Sequence, residues 1–332
     1  MEYRELGRTG LSISRVGLGG IPIQGSDAKG VREVIEAMLA AGMNYIDTAR
    51  GYTVSEELLG LALEGVRDRF ILATKSMART REAMAEDIEK SLKNLRTDHI
   101  DLYQVHNPSK ADLAKVTAEG GALEALLKAK AAGKIGHIGI TLHSADLFTE
   151  ALDLPWVETV MFPYNIVETQ GEAQMAECAA RGIGFIAMKP LAGGAIEDAA
   201  LALRFVLQNP AVTVVIPGMA NAREVRENAE AAELAAPLDE EGLMAVRASL
   251  GTSFCRRCGY CAPCTAGINI PAIFLFEGYY TRYHLEDWAI ARYASLPKNA
   301  ADCIGCGACE TRCPYHLPIR EMLKKAAATM GK

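Results

Sequence analysis

The chain has 332 residues, of which 50% are hydrophobic and 23% are charged, an ordinary globular composition that suffices for a large core. The formal net charge of −6 supplies no basic field, which argues against nucleic acid as a partner. The amino terminus has no apolar signal segment and no later run approaches the ~18 uninterrupted apolar residues of a membrane helix, so we expect a cytoplasmic protein with no membrane partner.

Strand and helix patterns alternate along the first three quarters of the chain. Residues 3–6 and 11–14, separated by a Gly-Arg-Thr-Gly turn, predict a hairpin. A glycine-rich strand at residues 16–20 and an amphipathic helix over residues 27–41 come next. Further strands, each followed by a helical pattern, are predicted near residues 44–47, 70–75, 100–106, 135–141, 158–162, 184–188 and 212–216.

This alternation gives eight βα units with the first strand. Eight units with mostly short connections favour an α/β fold of the closed parallel (β/α)8 type, the TIM barrel. Periodicity alone leaves an open, doubly wound sheet as the alternative. No GxGxxG motif follows the first strand, which weakens the dinucleotide-binding form of that alternative.

The character of the sequence changes near residue 250. Helical patterns over residues 225–235 and up to about 250 are followed by cysteines, aromatic residues and turns, with a helical middle segment over about 273–294 and a short final helix near Lys324. Eight of the nine cysteines lie beyond residue 254, and in a reducing compartment such clustering indicates metal ligation rather than disulfides. We therefore predict a barrel domain at residues 1–250 and a small, mainly helical domain at residues 251–332.

Polar side chains end three consecutive predicted strands: Asp47, Lys75 and His106, with Tyr52 in the loop after the first of them. The loops at the carboxyl ends of barrel strands converge, so these side chains should face one site. A nearby ammonium favours the phenolate of a tyrosine, whose ordinary pKa is ~10, and a carboxylate keeps that lysine charged. The set predicts proton delivery to a carbonyl oxygen while a hydride reaches the carbon. Taken alone, each residue also has a structural interpretation, such as a core histidine at position 106.

At this point the chain resembles the aldo-keto reductase family over about residues 1–236. The matching motifs are Gly7 to Leu11, Asp47 to Gly60, Thr74-Lys75, Gln104 to His106, Gly133 to Ile135, Pro190 to Gly194, Ile216 to Gly218 and Glu227-Asn228. The resemblance implies a barrel that binds NADP or NAD, a small carbonyl or alcohol substrate, and a catalytic tetrad of Asp47, Tyr52, Lys75 and His106 with Tyr52 as general acid. It also implies a set of cofactor-binding residues: Gly19, Gly20, Thr141, Met188, Pro190, Leu191, Gly193, Gly194, Ile216, Gly218, Ala220, Glu224, Glu227 and Asn228.

The positions for the nicotinamide ring depart from the family pattern. Leu142 and Met161 stand where relatives often have asparagine and glutamine, and Met188 replaces a stacking aromatic residue. These changes remove polar contacts to the ring, so we expect weakened nucleotide binding. Three polar residues at strand ends either replace the lost contacts or belong to ordinary loop structure: His143, Asn165 and Lys189.

The positions for the adenosine phosphate also depart from the pattern. Ala220 and Glu224 appear where basic residues are often expected, although Arg223 and Arg226 lie close in sequence. An acidic side chain suits a free ribose hydroxyl and repels a phosphate. The sequence leaves NAD and NADP as alternatives.

The cysteines form two closely spaced runs. Cys303, Cys306, Cys309 and Cys313 follow the CxxCxxCxxxCP pattern of bacterial ferredoxins. The other run is Cys255, Cys258, Cys261 and Cys264, with Thr265 in place of the usual proline. Residues 253–320 thus resemble two-cluster ferredoxins, which implies two 4Fe-4S clusters and crossed ligation, with Cys313 joining the first run and Cys264 joining the second. Two Zn(Cys)4 sites are the alternative.

Three functions are consistent with this sequence. The first is reduction of an aldehyde or ketone by NAD(P)H in the barrel, with the clusters serving electron transfer. The second is a barrel enzyme fed by electrons from the clusters, and the third is an electron carrier in which the barrel is a docking scaffold. A redox protein is an expected partner in the second and third. The complete tetrad speaks against the scaffold.

Overall fold

Residues 1–233 and 237–331 are described by the structure, a computed structural model. They form two units. The first comprises Met1–Asn165, Thr169–Pro190 and Asp198–Leu238, and the second comprises Ile166–Glu168, Leu191–Glu197 and the chain from Asp239 onward. Among the described residues, no helix has both the length and the apolar character needed to cross a membrane.

The first unit is a parallel barrel preceded by the predicted hairpin, β1 (Tyr3–Glu5) and β2 (Ser12–Ser14), which pair antiparallel. The eight barrel strands follow the chain order around the sheet. They are β3 (Leu18–Gly19), β4 (Tyr45–Asp47), β5 (Ile71–Ser76), β6 (Ile100–His106), β7 (Ile135–Thr141), β8 (Thr159–Pro163), β9 (Gly184–Met188) and β10 (Val214–Ile216).

Helices on the outside connect these strands. They are α1 (Ala28–Ala40), α2 (Ser55–Ala62), α3 (Arg81–Asn94), α4 (Lys110–Thr117), α5 (Ala122–Ala131), α6 (Ala145–Leu152), α7 (Glu172–Arg181), α8 (Ala199–Gln208) and α9 (Ala222–Glu233), with 3-10 turns at Pro22–Gly25 and Arg67–Arg69. The helix predicted over residues 225–235 corresponds to α9, and the last two residues of that prediction lie outside the described residues.

Two parallel bridges, Val16 to Val215 and Gly19 to Gly218, connect β10 back to the β3 region. The amide of Gly17 donates to the carbonyl of Val215 at 2.9 Å. A Cβ atom on Gly19 would lie 2.8 Å from the carbonyl oxygen of Ile216, so only glycine permits this approach. The prediction of a closed (β/α)8 barrel is confirmed, and the open sheet is excluded.

The barrel interior has its own apolar cluster, separate from the layer between strands and helices. Leu6 and Ile13 of the hairpin belong to the interior cluster together with Tyr45, Ala73 and Leu102 of three neighbouring strands. Side chains alternate between the two faces of a strand, so residues two positions further along each strand share the inward face. The inward positions after those three apolar residues are Asp47, Lys75 and Gln104.

The second unit contains α10 (Glu240–Leu250), α11 (Ile270–Thr281), α12 (Glu286–Ala294), α13 (Ala308–Thr311) and α14 (Ile319–Met330), with a 3-10 turn at Ala300–Asp302. The segment predicted to be helical over about residues 273–294 is helical, but two helices, α11 and α12, occupy it with a short connection between them. Arg282 caps the end of α11, and His284 in the connection that follows has a left-handed φ of 52°, which turns the chain before α12. Tyr279 then stacks on Trp288 with ring centroids 4.6 Å apart. The predicted domain boundary at residue 250 stays a prediction.

Candidate functional site

The four predicted catalytic side chains lie together in the first unit. Lys75 on β5 donates through Nζ to Asp47 Oδ2, at the end of β4, and to the carbonyl of Thr48 at 2.8 Å. The same Nζ lies 5.0 Å from the centroid of the Tyr52 ring. The Tyr52 and His106 rings meet edge to face, with centroids 6.2 Å apart. The structure thus brings all four side chains to one place, and their catalytic roles stay a prediction.

The lysine and the aspartate form a buried ion pair, each residue being 2% exposed. Burial lowers the pKa of the Lys75 ammonium, and the Asp47 carboxylate opposes this effect. Burial also raises the pKa of Asp47, opposed by Lys75 and by a hydrogen bond from Gln104. A positive charge held this close to a phenol favours the phenolate, which makes the tyrosine a better proton donor.

Gln104 is a further residue of this site, and the sequence did not identify its role. It lies on β6, fully buried, and its Nε2 donates to Asp47 Oδ1 at 3.1 Å. Asp47 therefore receives a proton donor on each carboxylate oxygen. The one sequence signal for Gln104 is its position two residues before His106, because that spacing places both side chains on the same face of the strand.

The loop that carries Tyr52 is fixed by a buried glutamate on α2. Glu56 is 1% exposed and pairs with Arg50 of the loop. Its Oε1 accepts hydrogen bonds from Thr74 and Ser91, both at 2.8 Å. The amide of Arg50 donates to the carbonyl of Lys75 at 3.0 Å. These contacts tie the tyrosine loop to the strand that carries the lysine.

The positions predicted for the nicotinamide ring are apolar and closely packed. Leu142 is 0% exposed, Met161 1% and Met188 8%, and both methionines belong to the interior cluster of the barrel. The hydroxyl of Thr141 accepts a hydrogen bond from the amide of Asn107 at 3.0 Å. Packing inside the barrel thus accounts for the apolar character of these residues.

The remaining predicted cofactor residues fall into three groups. Gly19, Ile216 and Gly218 meet where the barrel closes, and a Cβ on Gly20 would lie 2.7 Å from the carbonyl oxygen of Asp47. Pro190 belongs to the first unit. Leu191, Gly193 and Gly194 belong to the second unit, where Arg282 Nε donates to the carbonyl of Gly193 at 2.8 Å.

The third group surrounds the amino end of α9. The Glu224 carboxylate accepts hydrogen bonds from the amide of Ala220 and from Asn221 Nδ2, both at 2.8 Å. Glu227 lies 3.7 Å from Arg223 in an exposed ion pair, whereas Asn228 is buried. A side-chain carboxylate therefore occupies the end of the helix that carries partial positive charge.

The eight predicted cluster ligands all lie in the second unit, whereas Cys178 is buried on α7 of the first. Burial raises the pKa of Cys258, and the nearby Cys313 thiol adds to the rise. Burial likewise raises the pKa of Cys309, and the Glu310 carboxylate and the Cys264 thiol add to it. The two runs therefore influence each other electrostatically, and the crossed pattern of ligation stays a prediction.

The side chains of 1–233 and 237–331 include no group of three His, Cys, Asp or Glu that converges on a single metal ion. A cubane needs no such convergence, because each thiolate binds a different iron. Two runs of four cysteines are a donor set that fits two clusters. Their presence and number stay a prediction.

Two arginines between Cys255 and Cys258 anchor the first run. Arg256 Nε donates to the carbonyl of Val167 at 2.9 Å, and its guanidinium lies 3.9 Å from the centroid of the Tyr315 ring. Arg257 lies 3.5 Å from the fully buried carboxylate of Glu168. Within the second unit, the first run is therefore held by the Ile166–Glu168 segment.

Comparison with known proteins identifies both parts of the chain. Residues 15–201 match the model of the aldo/keto reductase family, and residues 254–318 match a 4Fe-4S dicluster domain. The chain is 37% identical to aldo-keto reductase YhdN of Bacillus subtilis over 52% of its length, and it spans only 56% of that relative. It is 29% identical to L-galactose dehydrogenase of Arabidopsis thaliana, over 75% of this chain and 94% of that one.

The barrel also resembles solved structures. The holo form of aldo-keto reductase AKR11C1 from Bacillus halodurans superimposes with a TM-score of 0.65 and 26% sequence identity. The similarity covers 75% of this chain and 96% of that one. The 4Fe-4S dicluster model matches residues 254–318, beyond the stretch that the aldo/keto reductase model matches.

Proposed function

The chain belongs to the aldo/keto reductase family and carries a 4Fe-4S dicluster domain, and from this premise we propose that it reversibly reduces an aldehyde or ketone with hydride from a nicotinamide nucleotide and a proton from Tyr52. The observation that carries the proposal is the Lys75 ammonium, 5.0 Å from the centroid of the Tyr52 ring and paired with buried Asp47. A lysine in that position favours loss of the phenol proton.

Each residue of the set has a separate task. Tyr52 donates its proton to the carbonyl oxygen, and His106, whose ring meets that of Tyr52, orients the same oxygen. Lys75 stabilises the phenolate that remains. Asp47 keeps Lys75 charged, and Gln104 holds Asp47 in place. In the direction of alcohol oxidation the phenolate takes the proton back.

The nucleotide supplies the hydride when it is bound, and we assign NAD as the preferred form. Glu224 accepts the hydrogen bond of the Ala220 amide and places a negative charge at the amino end of α9. A 2′-phosphate at that end would be repelled, whereas a ribose hydroxyl can donate to the carboxylate. Arg223 offers little compensation, because it is 72% exposed and lies near Glu227.

Calorimetric titration of NADH and NADPH tests this preference. Wild-type protein should bind NADH more tightly than NADPH. Glu224→Arg should lower the dissociation constant of NADPH relative to that of NADH about tenfold, which is the effect of one charge-assisted hydrogen bond. Glu230→Gln, a change of an exposed residue on the same helix, is the matched control. Tighter binding of NADPH by the wild type would contradict the assignment.

The eight cysteines are proposed to hold two 4Fe-4S clusters, with Cys255, Cys258, Cys261 and Cys313 around one and Cys303, Cys306, Cys309 and Cys264 around the other. Such clusters supply single-electron transfer. One observation favours a second candidate function, in which the clusters feed the barrel: the second unit contains the chain segments that follow β8 and β9. Hydride chemistry needs an electron pair, so this route requires a bound nucleotide or a flavin as intermediary.

Tyr52→Phe tests the principal proposal. The change removes one hydroxyl and keeps the ring, so fold and iron content should persist. Turnover of nitrobenzaldehyde under anaerobic conditions should fall by about 10²–10⁴-fold, the usual contribution of a positioned general acid. Tyr3→Phe, which removes a hydroxyl from an exposed tyrosine of the hairpin, should have no such effect. Equal turnover by wild type and Tyr52→Phe would refute the proposal.

The second candidate has its own test. Protein reduced with dithionite, freed of excess reductant and supplied with oxidised nucleotide should convert no aldehyde if the clusters do not feed the barrel, and up to one equivalent if two reduced clusters supply the electron pair. Conversion that consumes the cluster electrons, followed by the return of their visible absorption, would favour the cluster-fed route.

A further inference from the structure

A second polar constellation lies at the carboxyl ends of three barrel strands, apart from the tetrad. Its members, named here the His143 cluster, are Asn107 after β6, His143 after β7 and Lys189 after β9. Lys189 Nζ lies 2.9 Å from His143 Nε2, and His143 Nδ1 lies 3.1 Å from Asn107 Oδ1. The side chains thus form a continuous hydrogen-bonded row across the barrel end.

With Lys189 as an ammonium, the proton positions along the row follow from its chemistry. A lysine ammonium has only donors, so His143 Nε2 must accept from Lys189. Nδ1 of the neutral ring then carries the hydrogen and donates to Asn107 Oδ1. The row therefore holds one positive charge on Lys189, which is half-buried between β9 and the following loop.

The backbone at both ends of the row is held in an unusual conformation. Asn107 and Lys189 have left-handed φ angles of 42° and 58°. Asn165, fully buried, donates to the carbonyl of Lys189 at 2.9 Å, and the amide of Asn107 donates to the carbonyl of Thr141 at 3.0 Å. Asparagine adopts this region readily, whereas a lysine stays there only where its surroundings impose it, and such residues concentrate at functional sites.

We infer that the His143 cluster binds the carboxylate of the carbonyl substrate, so that the preferred substrates are aldehyde or ketone acids. The inference rests on the proposed function, because that function places the substrate carbonyl at His106, and Asn107 of the row is the next residue in the chain. An ammonium oriented by a neutral histidine suits a carboxylate, since charge-assisted hydrogen bonds are the stronger ones. The four tetrad residues do not by themselves imply a site for a substrate carboxylate.

The nucleotide diphosphate is the competing source of negative charge, because Met188 and Pro190, two predicted cofactor residues, flank Lys189 in the chain. Kinetics with matched aldehydes separate the two. 4-Carboxybenzaldehyde and methyl 4-formylbenzoate carry the same reacting group and differ in charge. The kcat/KM for 4-carboxybenzaldehyde divided by that for methyl 4-formylbenzoate should fall at least about tenfold in Lys189→Met, because a hydrogen bond to a charged group is lost.

The conservative variant Lys189→Arg should retain most of the preference for the carboxylate substrate. Lys110→Met, which removes an exposed lysine on α4, should leave the preference unchanged. An unchanged ratio in Lys189→Met would overturn the inference. So would weaker binding of ADP-ribose to Lys189→Met without a change in the ratio, because the cluster would then serve the nucleotide.

Direct binding keeps this test independent of turnover. Calorimetry on the holoprotein with NAD⁺ should show tighter binding of 4-(hydroxymethyl)benzoate than of its methyl ester, and the difference should vanish in Lys189→Met. If this difference is found in a protein that reduces no carbonyl, the proposed function fails while the carboxylate site stands. If carbonyls are reduced without any such difference, the carboxylate site fails alone.

Discussion

In the first unit Lys75 is fixed by Asp47 and Thr48, and Asp47 in turn by Gln104, all on or beside barrel strands. In the second unit the first cysteine run lies in an irregular segment between α10 and α11, and Cys306 of the second run is exposed. The strands hold one set of side chains through their own hydrogen bonds and packing, whereas the other set is held by a loop with two arginine anchors. From this comparison we predict that the barrel site forms without a bound cofactor and that the cysteine unit depends on the proposed clusters.

The size of the second unit supports this interpretation. Its described part is about one third the size of the chain, and small domains bury a lower fraction of their surface on folding. A metal or cluster that binds only the folded state adds its binding free energy to folding. Substitutions that remove a cluster ligand should therefore destabilise the second unit more than single substitutions destabilise the barrel.

Loss of a cluster ligand gives the largest expected effect. Cys313→Ser should reduce the iron content of anaerobically purified protein from about eight to about four atoms, because one of two cubanes is lost. Peptides of the second unit should lose protection in hydrogen exchange, while barrel peptides keep theirs. Cys178→Ala is the matched control: burial raises the pKa of this thiol to about 12, and it lies on α7, outside the runs.

Spectroscopy of the iron-sulfur clusters in Cys313→Ser also distinguishes crossed from uncrossed ligation. Crossed ligation predicts that Cys313→Ser removes the signal of the cluster bound by Cys255, Cys258 and Cys261. Loss confined to the other cluster would show uncrossed ligation. A colourless wild-type protein that contains zinc would refute the clusters and restore the alternative of two zinc sites.

Lys75→Met gives the next effect, and it acts on the rate rather than on folding. Without the ammonium the phenol pKa rises, so carbonyl reduction should fall by about 10²–10⁴-fold and the pH profile should shift upward. In the wild type, burial lowers the pKa of Lys75, so the ammonium is lost as the pH rises and the rate should decline toward alkaline pH. Steady-state kinetics across pH check both. Lys93→Met on the exposed face of α3 is the control.

Much of the barrel was predictable because it follows two simple periodicities. Asp47, Lys75 and His106 could be found because each ends or nearly ends an apolar strand. Gln104 could not be assigned, because a glutamine two residues before a strand end has many uses and only the distance to Asp47 reveals this one. The same holds for the row from Asn107 to Lys189, whose members lie far apart in the sequence.

The second unit was predictable in its chemistry and less so in its shape. The spacing of cysteines is dictated by the cluster and is therefore legible in the sequence. The connection between α11 and α12 contains a left-handed His284, and the sequence does not announce such a conformation when the residue is not glycine. Pattern alone therefore merged α11 and α12.

The third prediction concerns the glutamate that holds the tyrosine loop. In Glu56→Gln the side-chain amide would face Arg50, and the half-buried guanidinium would keep only the more distant Asp87 carboxylate at 3.7 Å. Breaking one partner of a buried ion pair costs about 3 kcal/mol, and the displaced Tyr52 loop should lower kcat more than it raises KM. Denaturation and kinetics measure the two effects. Glu57→Gln, at the exposed neighbouring position, should change neither.

The smallest expected effect tests whether barrel scaffolding far from the tetrad is equally independent of cofactors. Glu158 precedes β8 and accepts hydrogen bonds from Lys130 at 2.6 Å and from the amide of Ile138 at 2.8 Å, and it lies 2.7 Å from His137 Nδ1. Burial opposes ionisation, but these partners prevail and lower the pKa of Glu158 to about 2. Its charge therefore stabilises the folded barrel at neutral pH.

A carboxylate whose pKa is depressed by folding stabilises the protein above its ordinary pKa and loses that effect as the pH falls toward the depressed value. Because Glu158 is 28% exposed, solvent reduces the contribution to about 1–2 kcal/mol. Glu158→Gln should thus lower the free energy of unfolding by that amount at pH 7 and by progressively less below about pH 4.5. The chain has two tryptophans, so a Trp288→Phe background leaves Trp156, two residues from Glu158, as the fluorescent reporter of the barrel. Glu177→Gln, in an exposed pair with Arg181, should change the free energy by less than about 0.5 kcal/mol at either pH. A loss for Glu158→Gln that is the same at pH 7 and pH 3 would show that the charge of Glu158 contributes nothing and that only its hydrogen-bonding shape matters.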